Sequence, residues 1–233
     1  MPYTSFSSGV LGLSSSAQGT ELALAQRFLC TTPVLGPPER AVLWVQGCSI
    51  GCEGCILPEA WNPHGGKQVP ITDMAKWVLS LDAIEGITLA GGEPMEQAAA
   101  LCRLIDVVRG QRDLGVITYT GYTLENLHLN SDFWCSELLA RTDLLIDGPY
   151  VRSLHGRLRW RGSTNQRLLT LTRRYAEVAT DTHLDDTAGL EVHIDDGGDF
   201  QFVGIPPIPD FRAGFREQML ERGIKFQEGE DKQ

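Results

Sequence analysis

Apolar residues in the middle of the chain alternate between short continuous runs and stretches of helical period. Val42–Val45 is a run bounded by turn signals, Gly36-Pro37-Pro38 before it and Gln46-Gly47 after it, and reads as a buried strand. Ile71, Met74, Ala75, Val78 and Leu81 then recur at i, i+3, i+4, i+7 and i+10, one face of a helix. Ile84–Ala90 is strand-like, Met95–Arg109 helical with Leu101, Leu104, Ile105 and Val108 on one face, and Gly115–Tyr119 a short β-branched strand. A helix over about Ser131–Ala140 and a strand over Asp143–Ile146 follow. Strands alternating with helices predict βα units and an α/β fold with parallel strands.

Outside this region the pattern loosens. Residues 1–20 are rich in Ser and Gly and read as an arm, and Glu21–Cys30 reads as a short helix or an edge strand. Leu158–Gln166 is polar and basic, and Arg167–Leu171 is one more strand candidate. Leu190–Ile194 and Phe200–Val203 flank Asp195-Asp196-Gly197-Gly198, an antiparallel hairpin with a glycine turn. Phe211–Glu221 reads as a last helix, and Glu228–Gln233 as a charged tail.

Each central strand ends in a loop with chemical content: Cys48, Cys52 and Cys55 after the first, Gly91-Gly92-Glu93-Pro94 after the second, Thr120-Gly121-Tyr122 after the third, Asp147-Gly148-Pro149 after the fourth. Ligands in parallel sheets gather at the carboxyl ends of the strands, so these loops are expected on one face. Three thiols at C-x3-C-x2-C spacing call for a soft metal or a cluster, because neighbouring thiolates repel unless a cation neutralises them. Three ligands leave one position of a four-iron cluster open. The alternative is a structural zinc site completed by Cys30, Cys102, Cys135 or His64, although such sites usually carry two C-x2-C pairs and one is present. Cys102 and Cys135 sit in apolar helical contexts and read as core residues.

Composition narrows the function classes. A net charge of -10 argues against general nucleic-acid binding, which needs a basic surface. No apolar run approaches the roughly 20 residues that span a bilayer. The first residues lack the basic and apolar regions of a secretory signal. Six cysteines, half of them clustered, suit a reducing cytoplasm rather than a disulfide scaffold.

The segments WVQGCSIGCEGC, GGEP, TYTGYTLENL, LLIDGPYV and LRWRGSTNQRLLTL, in that order, resemble the radical S-adenosylmethionine (SAM) superfamily. Within it they look like the activating proteins of anaerobic ribonucleotide reductase. The resemblance covers roughly Ala41–Leu171. It implies a partial (β/α) barrel of the radical SAM type, with a C-terminal β-hairpin extension. Residues 1–40 would be an arm and lead-in, 41–172 the core, and 173–233 an extension with the hairpin and acidic tail. It further implies a [4Fe-4S] cluster on Cys48, Cys52 and Cys55 whose fourth iron takes SAM. Gly54, Gly91, Gly92, Glu93, Pro94, Tyr119 and Asp147 are expected on the SAM side. Asp147 could equally cap a turn or helix, and Tyr119 could simply pack.

Arg159, Arg161, Asn165, Gln166 and Arg167 form the densest basic polar stretch, able to hold SAM, to dock a partner, or to be a solvated face. The implied partners are a glycyl-radical enzyme and a flavodoxin- or ferredoxin-type electron donor, with no nucleic acid and no membrane. The alternatives are a radical SAM enzyme acting directly on a small metabolite or peptide, and a non-enzymatic zinc or iron–sulfur module. The chain departs from the activases after Cys55, where Ile56-Leu57-Pro58 replaces their usual His-Asn-Pro.

Overall fold

The computed structural model describes residues 19–25, 30–180, 189–194 and 200–224. β1 (Glu21–Leu24) and β2 (Cys30–Thr32) lead into β3 (Arg40–Val45), and the cysteine loop follows. Next come β4 (Lys67–Pro70), α1 (Ile71–Leu79), β5 (Gly86–Gly91), α2 (Ala98–Arg109), β6 (Gly115–Tyr119), α3 (Leu124–Leu129), α4 (Phe133–Arg141) and β7 (Leu144–Asp147). β8 (His155–Leu158), β9 (Arg161–Ser163), β10 (Arg167–Thr170) and α5 (Ala176–Thr180) precede the final hairpin of β11 (Leu190–Ile194) and β12 (Phe200–Gly204), and α6 (Phe211–Glu221).

The fold is mixed α/β around one sheet in the order β10-β7-β6-β5-β3-β1-β4, with β2 also paired to β3. Its centre is parallel: Leu43 lies opposite Leu89, Leu89 opposite Thr118, and Thr118 opposite Leu145. The flanks are antiparallel. Residues Glu21–Leu24 form neither a helix nor an edge strand, because β1 pairs along its length with β4 and at Leu24 with Val45 of β3. The strand expected after Gln166 exists as β10, turned antiparallel to β7 at the opposite edge.

Period-two alternation sends successive residues of each strand to opposite faces. Ala41, Leu43 and Val45 of β3, Ile87 and Leu89 of β5, and Val116 of β6 face one apolar core with the buried stripes of α1, α2 and α4. Burying a leucine such as Leu101 or Leu104 stabilises by about 1.5–3 kcal/mol. α3 and α4 are anchored at their starts, Thr123 accepting from the Asn126 amide and Asp132 from those of Trp134 and Cys135.

The other face carries Val42 and Ala90 against Leu35 and Val203, and Ile117 and Ile146 against Trp160 and Tyr175. At its lower end the fully buried Arg40 guanidinium donates to Thr88 Oγ1, Glu85 Oε2, Tyr175 Oη and the carbonyls of Pro37, Ile87 and Gly115. One cation thereby joins the lead-in, two strand starts and the segment after β10.

One region departs from the sequence pattern. Residues 155–163 form a two-stranded hairpin, with β8 and β9 paired. The expected antiparallel pairing of β11 and β12 forms, with Val192 opposite Phe202. Its glycine turn lies outside the described residues, as do most of the N-terminal arm and the tail Glu228–Gln233. Among the described residues, no helix is long and apolar enough to cross a membrane.

Candidate metal and cofactor cleft

A cleft of about 230 Å³ opens where β3, β5, β6 and β7 end. All four loops singled out by their chemistry contribute to its lining. Cys48, Cys52 and Cys55 stand on one side. Gly91, Gly92 and Glu93 follow from β5, Thr120 and Gly121 from β6, and Gly148 and Tyr150 from β7.

The cysteine loop is fixed by its own return. Gly47 N–H donates to Ala60 O at 2.8 Å and Cys48 N–H to Trp61 O at 3.1 Å, while Gln46 Nε2 donates to the carbonyls of Glu59 and Asn62. Glu96 accepts both the amide and the hydroxyl of Ser49. The three thiols are half-buried and free of disulfides. Burial raises the pKa of Cys48 and Cys52, while backbone N–H groups of Gly51 and Ile50 act the other way on Cys48 and that of Tyr150 on Cys52. Leu57 N–H points at Cys55 Sγ, 3.4 Å away. N–H groups aimed at cysteine sulfurs are one of the levers by which proteins hold and tune iron–sulfur clusters.

Among the described residues, no three His, Cys, Asp or Glu side chains converge as they would on one metal ion. A cubane takes one thiolate at each of three irons, so its three thiols need not meet at a single point. Two of the other candidate ligands are elsewhere. Cys102 and Cys135 are buried between helices, with their Sγ atoms directed at the carbonyls of Trp134 and Met95. Burial raises these thiols to about 11 and about 12, so they stay protonated as core residues.

The glycine pair has a reason beyond access to a ligand. Gly92 N–H donates to Val45 O and Glu93 N–H to Gly47 O, each at 2.7 Å. A Cβ on Gly92 would stand 2.1 Å from Gly47 O, and one on Gly91, at φ +103°, 2.6 Å from Val45 N. The glycines therefore let the second loop lie directly on the cysteine loop. Glu93 is buried, and its carboxylate accepts from the Met95 amide, the Thr120 hydroxyl and the Gly121 amide. Burial lifts its pKa to about 7 despite these bonds. Pro94 is buried at the start of the short helix over Pro94–Gln97 and does not reach the cleft.

Tyr119 lines the cleft with its hydroxyl closed off from solvent and unpartnered among the described residues, and burial raises its pKa. A buried hydroxyl without a partner is costly unless something fills the space beside it, so this atom suits a bound group with polar atoms. Asp147 does not line the cleft. Its buried carboxylate accepts from the Leu124 amide at 2.8 Å and pairs with Arg167, which also holds Glu125. It is a cap and an ion-pair partner in this structure.

The basic stretch does not form one face. Arg159 turns inward, over the Trp160 ring and onto Val178 O. Arg161 Nη1 reaches Gln166 O at 3.4 Å, and Asn165 donates to Pro149 O. Gln166 does border the cleft, while its amide bonds Gly148 O and the Gly162 amide. Gly54, at φ +77°, sits behind the loop near Tyr150 and Arg152.

Several lining residues carry no motif: Leu35, Trp61, Phe202, Val203, Ile205 and Arg212. The last four lie in β12, α6 and the segment joining them. The sequence signals the hairpin and the helix that carry them, but nothing in their period says where they dock.

Comparison with known proteins follows the geometry. Residues 34–169 match the family described as the 4Fe-4S single cluster domain. The anaerobic ribonucleoside-triphosphate reductase-activating protein of Enterobacteria phage T4 is 33% identical over 144 residues, 60% of this chain and 88% of that protein. Proteins of the same name from Vibrio cholerae and Escherichia coli K12 are 33% and 30% identical over 141 and 145 residues, 57% of this chain in each case and 88% and 89% of theirs. The chain belongs to the family of anaerobic ribonucleoside-triphosphate reductase-activating proteins.

Proposed function

We infer that this protein is a radical SAM activase that generates a glycyl radical on a partner enzyme such as anaerobic ribonucleotide reductase. The observation that carries the reading is the meeting of three half-buried thiols and the Gly-Gly-Glu loop in one cleft, in a chain of this family. When bound, a [4Fe-4S] cluster and SAM would supply the radical chemistry, reductive cleavage of the sulfonium and abstraction of a hydrogen atom from glycine Cα.

The chain's own residues supply anchorage, orientation and exclusion of water. In our reading Cys48, Cys52 and Cys55 hold three irons, supported by the amides directed at their sulfurs. Gly91, Gly92 and Glu93 form the SAM side, with the Glu93 carboxylate kept in place by Thr120 and Gly121. The Tyr119 hydroxyl offers a polar contact within the same lining. Asp147 acts through Arg167, holding the loop after β7 rather than touching the cofactor.

The sheet with its parallel centre fits the partial (β/α) barrel of the radical SAM type, and a cytoplasmic location suits oxygen-sensitive chemistry. A flavodoxin- or ferredoxin-type protein is the proposed electron donor. The test is anaerobic reconstitution with iron and sulfide, then dithionite and SAM, with 5'-deoxyadenosine as the readout. Product that depends on all three cysteines, and a glycyl doublet by EPR when anaerobic ribonucleotide reductase is added, is the expected result. A colourless zinc protein without product would overturn the reading, and product without a doublet would overturn the choice of partner.

A further inference from the structure

The family match ends at residue 169, yet the cleft does not. Phe202, Val203, Gly204, Ile205 and Arg212 complete its lining, together with the cysteine loop. Val203 is buried against Leu35, Val42 and Ala90, on the sheet face opposite α1, α2 and α4. Phe202 packs edge-on against Phe211 and Phe215, so β12 and α6 form one unit. Two arginines tie this unit to the cysteine loop and its neighbour. Arg212 of α6 donates to Ile56 O, one residue past Cys55, and to both carboxylate oxygens of Glu59. Arg152 pairs with Asp210, at the start of α6, and lies 3.5 Å from Glu53 between Cys52 and Cys55.

We propose that residues 189–194 and 200–224 are a built-in wall of the cofactor cleft, with Arg212 as the positioning residue that latches it to the segment after Cys55. Ile56 and Leu57, the pair that departs from the activase pattern, line the cleft next to this latch. The contact uses the Ile56 carbonyl, which any residue supplies, and leaves its apolar side chain to the cleft. Both ion pairs are partly exposed, the side chains retaining between 34% and 49% of their accessibility. Pairs of this kind contribute little to stability. The α6 end of the wall can therefore part from the loop while Val203 stays packed on the sheet, and it sets which groups reach the thiols.

The wall itself is independent of the activase reading; only its role in admitting a partner's glycine loop rests on that reading. The test needs neither cluster nor SAM. The full-length reduced apoprotein is treated anaerobically with a maleimide, and labelling of each cysteine is followed by mass spectrometry. Arg212→Ala is expected to speed labelling of Cys55 and Cys52 by up to about fivefold, the factor that about 1 kcal/mol commands. Arg212→Lys, which keeps the charge but not the fork, is expected in between. Cys102 and Cys135, buried on the helix side, serve as the internal control and stay protected. Unchanged rates at Cys52 and Cys55 with the control cysteines protected would overturn the proposal. Should Arg212→Ala label every cysteine and so prove unfolded, the wild-type chain in high salt decides. Screening of both ion pairs then speeds labelling at the loop, and no change there overturns the wall.

Discussion

On one face of the central sheet Ala41, Leu43, Ile87, Leu89 and Val116 meet α1, α2 and α4 in a single apolar core. On the other, the same strands present Arg40 and Thr88 at the lower end and Ala90 and Tyr119 towards the cleft. The helix side is held by area and shape, which tolerate small changes and carry no charge. The cleft side adds to its apolar contacts hydrogen bonds to buried polar groups, each of which is costly if it loses its partner. The difference shows in the thiols. Cys102 and Cys135, on the helix side, are held protonated as apolar fillers, while Cys48, Cys52 and Cys55 stand half-buried beside backbone N–H groups. A fold can therefore keep reactive and inert cysteines in one chain by placing them on opposite sides of a sheet.

The sharpest way to break this contrast is to exchange the roles. Cys52→Ala is expected to abolish the visible absorbance of the reconstituted cluster and the formation of 5'-deoxyadenosine, whereas Cys102→Ala leaves both in place. Next in size is Arg40→Met, which strands the carbonyls of Ile87 and Gly115 and leaves Glu85 without its buried partner. It should cost about 3–5 kcal/mol in a denaturant titration. Leu104→Ala on the helix side should cost about 2–5 kcal/mol by cavity formation, without shifting the pH dependence of stability.

Glu93 gives the cleft side a pH signature. Its pKa rises from the usual 4.5 to about 7 in the fold, so the folded state holds the proton more tightly than the unfolded chain. Below pH 4.5 both states are protonated and no penalty exists. Between there and about 7 the unfolded chain ionises first, and this group's contribution makes stability fall, by about 3 kcal/mol in all. Glu93→Gln should flatten that part of the profile, at the cost of the bond to the Gly121 amide. Thermal unfolding followed across this pH range measures both. The smallest effect belongs to the surface: Lys76→Ala, which removes an exposed pair with Asp73 on α1, should change stability by less than about 0.5 kcal/mol.

Much of the central sheet was legible in the sequence, because a buried parallel strand must be continuously apolar and a helix packed on it must show a 3.6-residue period. Ile71–Leu79, Ala98–Arg109 and Gly115–Tyr119 were readable for that reason. The loops that form the cleft were readable because parallel strands all end on one side. β1, β4 and the hairpin of β8 and β9 were not. They are three or four residues long and mostly half-buried or exposed, and pairing rather than period gives them their conformation. Asp147 shows the same limit at one residue: its position after a strand is visible, but whether it meets a ligand or Arg167 depends on a side chain twenty residues further on.

What the sequence determined alone was the local order: three soft ligands, a glycine pair and two further loops, each following a strand. Chemistry and short-range geometry settle such features within a few residues. What only the tertiary structure decided was the company these loops keep. Gly92 meets Gly47 O, Arg40 is enclosed by six oxygen partners, and residues beyond the family match close the cleft over Cys55. Those pairings join segments up to 156 positions apart. No local period encodes them, because they arise from which surfaces fit once the sheet has formed.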